Sequence, residues 1–186
     1  MKKRIKINDL DLEYQVICRD VKYARLEIKN GDLQLIIPLN YYNHEEVIEK
    51  HRKWIYRKIS RIKQLQKDAE EKEIEFGRTD DEFRLQVRSY VTNISHDLMV
   101  TVKRVSFRKM KSRWGSCSSA GNININTRLK YLPSHLIEYV VHHELTHLME
   151  HKHSKRFWSM VSSKFPNYRE MEEELSIYWF LVKDLS

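Results

Sequence analysis

The most chemically loaded stretch of this chain is His143-Glu144-Leu145-Thr146-His147, the pattern H-E-x-x-H. Four residues advance a helix by just over one turn, so both imidazoles leave the same face. Two neutral ring nitrogens one turn apart suit two corners of a zinc tetrahedron. Glu144 sits beside the first ligand and reaches a water on the metal without ligating it. Nucleophile and base are then both available at neutral pH. Left unpaired in a core, two histidines and a glutamate would be strongly destabilising, so ligation explains them better than packing does.

A catalytic zinc site takes a third protein ligand and leaves one position for water or substrate. His153 lies six residues after His147, where the helix is expected to end and the chain can turn back. His151, at i+4 from His147, is one rival. The acidic run Glu170, Glu172, Glu173, Glu174 offers a carboxylate as another. Spacing favours His153. His142 projects roughly 100° away from His143 and reads as packing or support. A nitrogen-rich set also suits nickel or cobalt. Donors for a developing oxyanion are sought among Arg113, His151, Arg156, Tyr168 and Tyr178. Trp114 and Trp158 read as core before cleft wall, and Cys117 as a small packing residue before a reactive thiol.

Elements must place these groups. Residues 1–39 read as β structure, with Leu10-x-Leu12-x-Tyr14-x-Val16 alternating and turn signals at Asn8-Asp9 and Asn30-Gly31. The period changes over 44–67, where Val47, Ile48, Ile55, Ile59, Ile62 and Leu65 recur at helical spacing among Lys and Arg. An acidic connection with Gly77 follows. Asp80 or Asp81 is expected to cap a helix to about residue 97. A strand from Val100 to Phe107 and a hairpin through Ala120-Gly121 precede Pro133-Ser134, which opens the motif helix. Two more helices follow, from Ser154 and over Tyr168 to Val182. The expected class is α+β: an N-terminal antiparallel β segment with a long basic helix (1–78), then a catalytic domain (79–186) of helix, small antiparallel sheet, motif helix and C-terminal helices.

At 186 residues with 41% hydrophobic and 32% charged side chains, the chain is long enough to build a core without disulfides. Cys18 and Cys117 read as reduced thiols. The basic start lacks the apolar run of a signal peptide, and no stretch approaches a membrane span, so a cytoplasmic protein without membrane contact is expected. The net charge of +8 is uneven: residues 98–137 carry eight basic side chains and no acidic one. That suggests an anionic substrate or partner, nucleic acid included, against the alternative of a solvated face.

The joint pattern Ser112-Arg113-Trp114-Gly115-Ser116-Cys117, Ile123-x-Ile125-Asn126, Pro133, Tyr139-Val140-Val141-x-His143-Glu144-Leu145-x-His147 and His153-Ser154-x-x-Phe157-Trp158 resembles the YgjP-like family of metal-dependent hydrolases. That family is related to the SprT-like and WLM zinc metallopeptidases. The resemblance covers about residues 80–182. It implies a minimal zincin-type domain, zinc on His143, His147 and His153, and an edge strand near Arg113-Trp114-Gly115-Ser116 lining the cleft. Peptide hydrolysis with Glu144 as base is then the leading expectation. A nucleotide phosphohydrolase using the basic 98–137 stretch is the first alternative, although no Gly-rich phosphate cradle is present. A nucleic-acid-associated protease is the second. Substrate and oligomeric state stay open.

Overall fold

The computed structural model describes residues 2–29, 32–41, 43–183 and 185. It is a mixed α+β chain with six α-helices and two small sheets among these residues. The chain divides into two compact units, residues 1–67 and 68–186.

In the first unit β1 (Lys2–Ile7) and β2 (Leu10–Cys18) form a hairpin closed by Asn8 and Asp9. Asn8 takes φ +54°, the left-handed region that asparagine tolerates. A second antiparallel pair joins β3 (Arg25–Lys29) to β4 (Asp32–Ile37), so Lys29 lies opposite Asp32. The Asn30-Gly31 turn expected there lies outside the described residues. The sheet is not wholly antiparallel as expected. Its order is β1-β2-β4-β3, and β2 runs parallel to β4. Alternation tells which face of a strand is buried, but not which neighbour it pairs with.

The helical stretch after the sheet is two helices rather than one, α1 (His44–Lys50) and α2 (Arg52–Glu70). They break at His51, whose N–H bonds both Val47 and Ile48 carbonyls. Ile48, Ile55 and Ile59 join Ile7, Leu10, Tyr14, Leu33, Leu35 and Ile37 in the first core.

In the second unit α3 (Asp80–Asp97) is capped by Thr79, not by Asp80 or Asp81. Thr79 Oγ1 accepts from Glu82 N, and Glu82 accepts in return from Thr79 N at 2.8 Å. This reciprocal pair satisfies two amides that would otherwise lack partners. Phe83, Val87, Val91 and Ile94 form its buried stripe.

The sheet here contains β5 (Arg104–Arg108), β6 (Gly115–Cys117) and β7 (Asn122–Asn126) in the order β5-β7-β6. The hairpin of β6 and β7 is antiparallel as expected, but β5 pairs parallel to β7, so this sheet too is mixed. A 3-10 turn, Thr127–Tyr131, leads to α4 (Ser134–Thr146), which is followed by α5 (Lys155–Lys164) and α6 (Tyr168–Val182). Helix α4 is central: Leu136, Ile137, Tyr139, Val140, Val141 and Leu145 are all buried in the second core.

The segment 68–78 packs with the second unit. Tyr178 donates to Glu73 O, Lys72 pairs with Glu174 at 2.8 Å, and Arg78 donates to Lys130 O and Leu132 O. No helix of the described residues is long and apolar enough to cross a membrane.

Candidate metal centre

Helix α4 ends at Thr146, and His147 follows in helical conformation at its C-cap. A short turn then reverses the chain, with Glu150 N–H bonded to Thr146 O. Ser154 starts α5 by accepting from Phe157 N. This tight exit from one helix and entry into the next returns His153 to the face that carries His143 and His147.

Among the described residues these three histidines are the one converging group of potential ligands, each offering a nitrogen within 4.8 Å of the others. His143 Nε2 and His153 Nε2 are 2.9 Å apart. Two nitrogens sharing a tetrahedral zinc at bonds of ~2.0–2.1 Å should be roughly 3.3 Å apart. The set therefore fits a small divalent cation with only slight adjustment. Burial, and then the neighbouring His147 and His153, push the His143 pKa down to about 3. Burial also lowers that of His147. Both rings are thus neutral, the state a metal requires. The Glu150 carbonyl accepts from His147 Nδ1 at 3.2 Å, which leaves Nε2 with its lone pair free.

Aromatic packing holds the rings. Phe157 is fully buried, lies against His147 at 4.6 Å between centroids, and meets His143 and His153 edge-on. Trp158 stacks on His153, and Tyr168 stacks on Trp158.

Glu144 is 7% exposed. Burial raises its pKa to about 7, with the positive charge of Arg113 pulling the other way. Gly115 on β6 lies directly against it: a Cβ there would stand 2.6 Å from Glu144 Cγ and Oε1. Only a residue without a side chain leaves that space. Burial, and then the Glu144 charge, lift the nearby Cys117 thiol to about 11, so it is protonated and unreactive at neutral pH.

The approach to β6 is clamped by fully buried Asn126. Its Nδ2 donates to Met110 O and Arg113 O, its Oδ1 accepts from Met110 N, and its N–H bonds Trp114 O. Arg113 itself is exposed.

The other sequence candidates separate. His151 is exposed and lies near His147, on which its charge and its backbone act in opposite senses. Trp114 makes an edge contact with Trp179 and packs on the core. Tyr178 is misplaced as a site residue: it is 3% exposed, its hydroxyl is bound to Glu73 O, and its charged neighbours are Lys72, Glu174, Glu75 and Glu73. The acidic run does not join the ligand cluster, but Glu172 comes close. Its Oε1 accepts from Tyr139 OH at 2.6 Å and stands 3.7 Å from His143 Nδ1. Sequence reading placed Gly115 near the cleft and Asn126 in the family pattern without giving either a role, and it missed this use of Glu172. The visible hint was Tyr139, one helical turn before His143.

A histidine triad spaced as a metal could be held, beside a buried carboxylate on a mixed α+β scaffold, is the arrangement of a metal-dependent hydrolase. The chain belongs to the YgjP-like family, whose metallopeptidase domain model matches residues 79–178. It is accordingly a metal-dependent peptidase by domain. Among solved structures it is similar to the metallopeptidase zymogen abylysin of Pyrococcus abyssi, at 25% identity and TM-score 0.44 over 48% of this chain and 90% of that one. It is also similar to the metallopeptidase zymogen jannalysin of Methanocaldococcus jannaschii, at 22% identity and TM-score 0.44 over 52% of this chain and 97% of that one. No curated protein matches the chain.

Proposed function

We propose that the second unit is a minimal zincin-type peptidase in which His143, His147 and His153 hold one zinc ion and Glu144 is the general base. The observation that carries this is the convergence of three ring nitrogens within 4.8 Å, beside a carboxylate buried under Gly115. Bound zinc supplies Lewis acidity, polarising the scissile carbonyl and making the attacking water more acidic. Glu144 takes the proton from that water at a carboxylate oxygen and delivers it to the leaving amine nitrogen. Burial of Glu144 keeps bulk water from competing for it. The guanidinium of Arg113, whose charge reaches Glu144, is the first candidate to stabilise the oxyanion, with His151 the second. Strand β6 lies at the edge of its sheet, so an extended peptide can pair along it and present a carbonyl near Glu144. Nickel or cobalt suits the same donors.

Two variants separate the roles. Glu144→Gln is expected to retain metal and lose about 10²–10⁴-fold in turnover of unstructured peptide substrates. His153→Ala is expected to lose the metal as well. Full activity in Glu144→Gln would remove the base assignment, and normal zinc binding in His153→Ala would remove the third ligand.

The basic 98–137 stretch offers less to phosphates than its composition suggests. Arg128 is buried, with its guanidinium on Met110 O and Lys183 O, and Lys130 pairs with Asp80 at 2.7 Å. Chelator-sensitive phosphate release from nucleoside triphosphates without peptide cleavage would make the phosphohydrolase the better reading. Steeply salt-dependent DNA binding by an active peptidase would support the nucleic-acid-associated form.

A further inference from the structure

Glu172 stands where two elements meet, and the chemistry above does not use it. It lies on α6, yet both its neighbours are on α4: the Tyr139 hydroxyl at 2.6 Å and His143 Nδ1 at 3.7 Å from the same Oε1. Tyr139 and His143 are four residues apart and share a helix face, so one carboxylate reaches both. Its position relative to the ring decides its role. His143 turns Nε2 toward His153, and Glu172 faces the opposite nitrogen. A carboxylate on the far side of the ring is not arranged to ligate the same cation. It is arranged to accept the Nδ1 proton.

The other two histidines already have fixed surroundings. His147 Nδ1 is held by the Glu150 carbonyl, and His153 is stacked on Trp158. His143 has ring contacts with Phe157 and Trp158, but neither sets its tautomer. Glu172 is the group placed to do so.

We propose that Glu172 is a positioning residue of the metal centre. It accepts from His143 Nδ1–H, holds that ring with the Nε2 lone pair toward the cation, increases its basicity through the negative charge, and is itself aimed by Tyr139. The proposal rests on the reading that the three histidines bind a divalent cation. At 3.7 Å the carboxylate is just beyond hydrogen-bond length, so a small inward shift closes the contact. The Glu172 side chain is 44% exposed, which limits the electrostatic part of the effect through solvent screening.

The test is zinc affinity of the full chain, measured by competition with a chromophoric chelator, for wild type, Glu172→Ala, Glu172→Gln, Tyr139→Phe and His153→Ala. It is paired with the absorption spectrum of each cobalt complex and the melting temperature of each metal-free protein. Glu172→Ala is expected to bind one equivalent of zinc about 10–100-fold more weakly, with cobalt bands and metal-free melting temperature unchanged. Glu172→Gln keeps an acceptor oxygen but no charge and is expected to fall between the two. Tyr139→Phe should also fall between them, because it frees the carboxylate without removing it. Affinity of Glu172→Ala within twofold of wild type overturns the proposal. So do cobalt bands altered as in a lost ligand, which would make Glu172 a ligand itself. Should Glu172→Ala fail to fold, Glu172→Gln decides by the same criteria. If wild type binds no zinc, or His153→Ala binds it equally well, the metal reading itself has failed.

Discussion

Gly115 and Glu144 are in contact although they lie on different elements and far apart in the chain. The contact is too close for a side chain: a methyl at 115 would meet Glu144 Cγ and Oε1 at 2.6 Å and Cδ at 2.8 Å. Gly115→Ala should therefore push the Glu144 carboxylate out of place while leaving the three histidines untouched. The expected result is a fall in kcat of about 10²-fold, the scale of a misplacement near 1 Å, with zinc content unchanged. Metal analysis beside steady-state kinetics checks both halves; parallel loss of zinc would show that β6 supports the ligands rather than the base. At this scale the helix period made the shared face of His143 and His147 legible, and the short distance to the next turn made the return of His153 toward them so. Tyr178 misled because its type suits oxyanion binding, while its orientation depends on Glu73, a partner far away in the chain.

Among the elements, α3 shows what local pattern reveals and what it hides. Its span to about residue 97 was readable, but its cap was expected at Asp80 or Asp81, one or two residues late, since Thr79, Asp80 and Asp81 all have capping chemistry. Glu82 decides the matter by closing the reciprocal pair with Thr79. At the other end Met99 takes φ +53° and is 92% exposed, just past the Leu98 cap. A left-handed residue there favours glycine, and methionine gains no packing in return. Met99→Gly is expected to stabilise the second unit by ~0.5–1 kcal/mol, after the greater unfolded-state freedom of glycine is allowed for. Thr79→Ala should destabilise it by ~1 kcal/mol. Denaturant midpoints of the two variants, moving in opposite directions, check the pair; a destabilised Met99→Gly would show that the side chain makes contacts worth more than the backbone strain. Strand pairing was the least legible feature. The alternation of Asn122–Asn126 set its buried face, but the parallel partner β5 comes from before the hairpin, and no turn signal marks that pairing.

For the whole molecule, two hydrophobic cores share no residue. One is drawn from the N-terminal strands and helices α1 and α2, the other from α3 through α6 with the second sheet. Composition suggested a boundary after residue 78, because the acidic stretch from Asp68 contains Gly77 and reads as a helix end and connection. The structural division falls after Lys67, since the bonds from Lys72, Glu73 and Arg78 all reach residues beyond 129, which local composition cannot show. Every proposed metal ligand lies in the second unit. A cation that binds the folded site and not the unfolded chain stabilises whatever unfolds together with that site, by about 4 kcal/mol at ~1,000 times its dissociation constant. Zinc should then raise one thermal transition and leave the other in place, and chelator should reverse the shift. Calorimetry resolves the transitions, and fluorescence assigns them. Trp54 is in the first unit and Trp114, Trp158 and Trp179 are in the second, so Trp54→Phe makes the emission report on the metal-bearing unit alone. Fluorescence in that variant should track the zinc-sensitive transition. A single transition shifted by zinc for every probe would instead show that the two cores unfold as one cooperative body, with stability gained at the histidines reaching the N-terminal sheet.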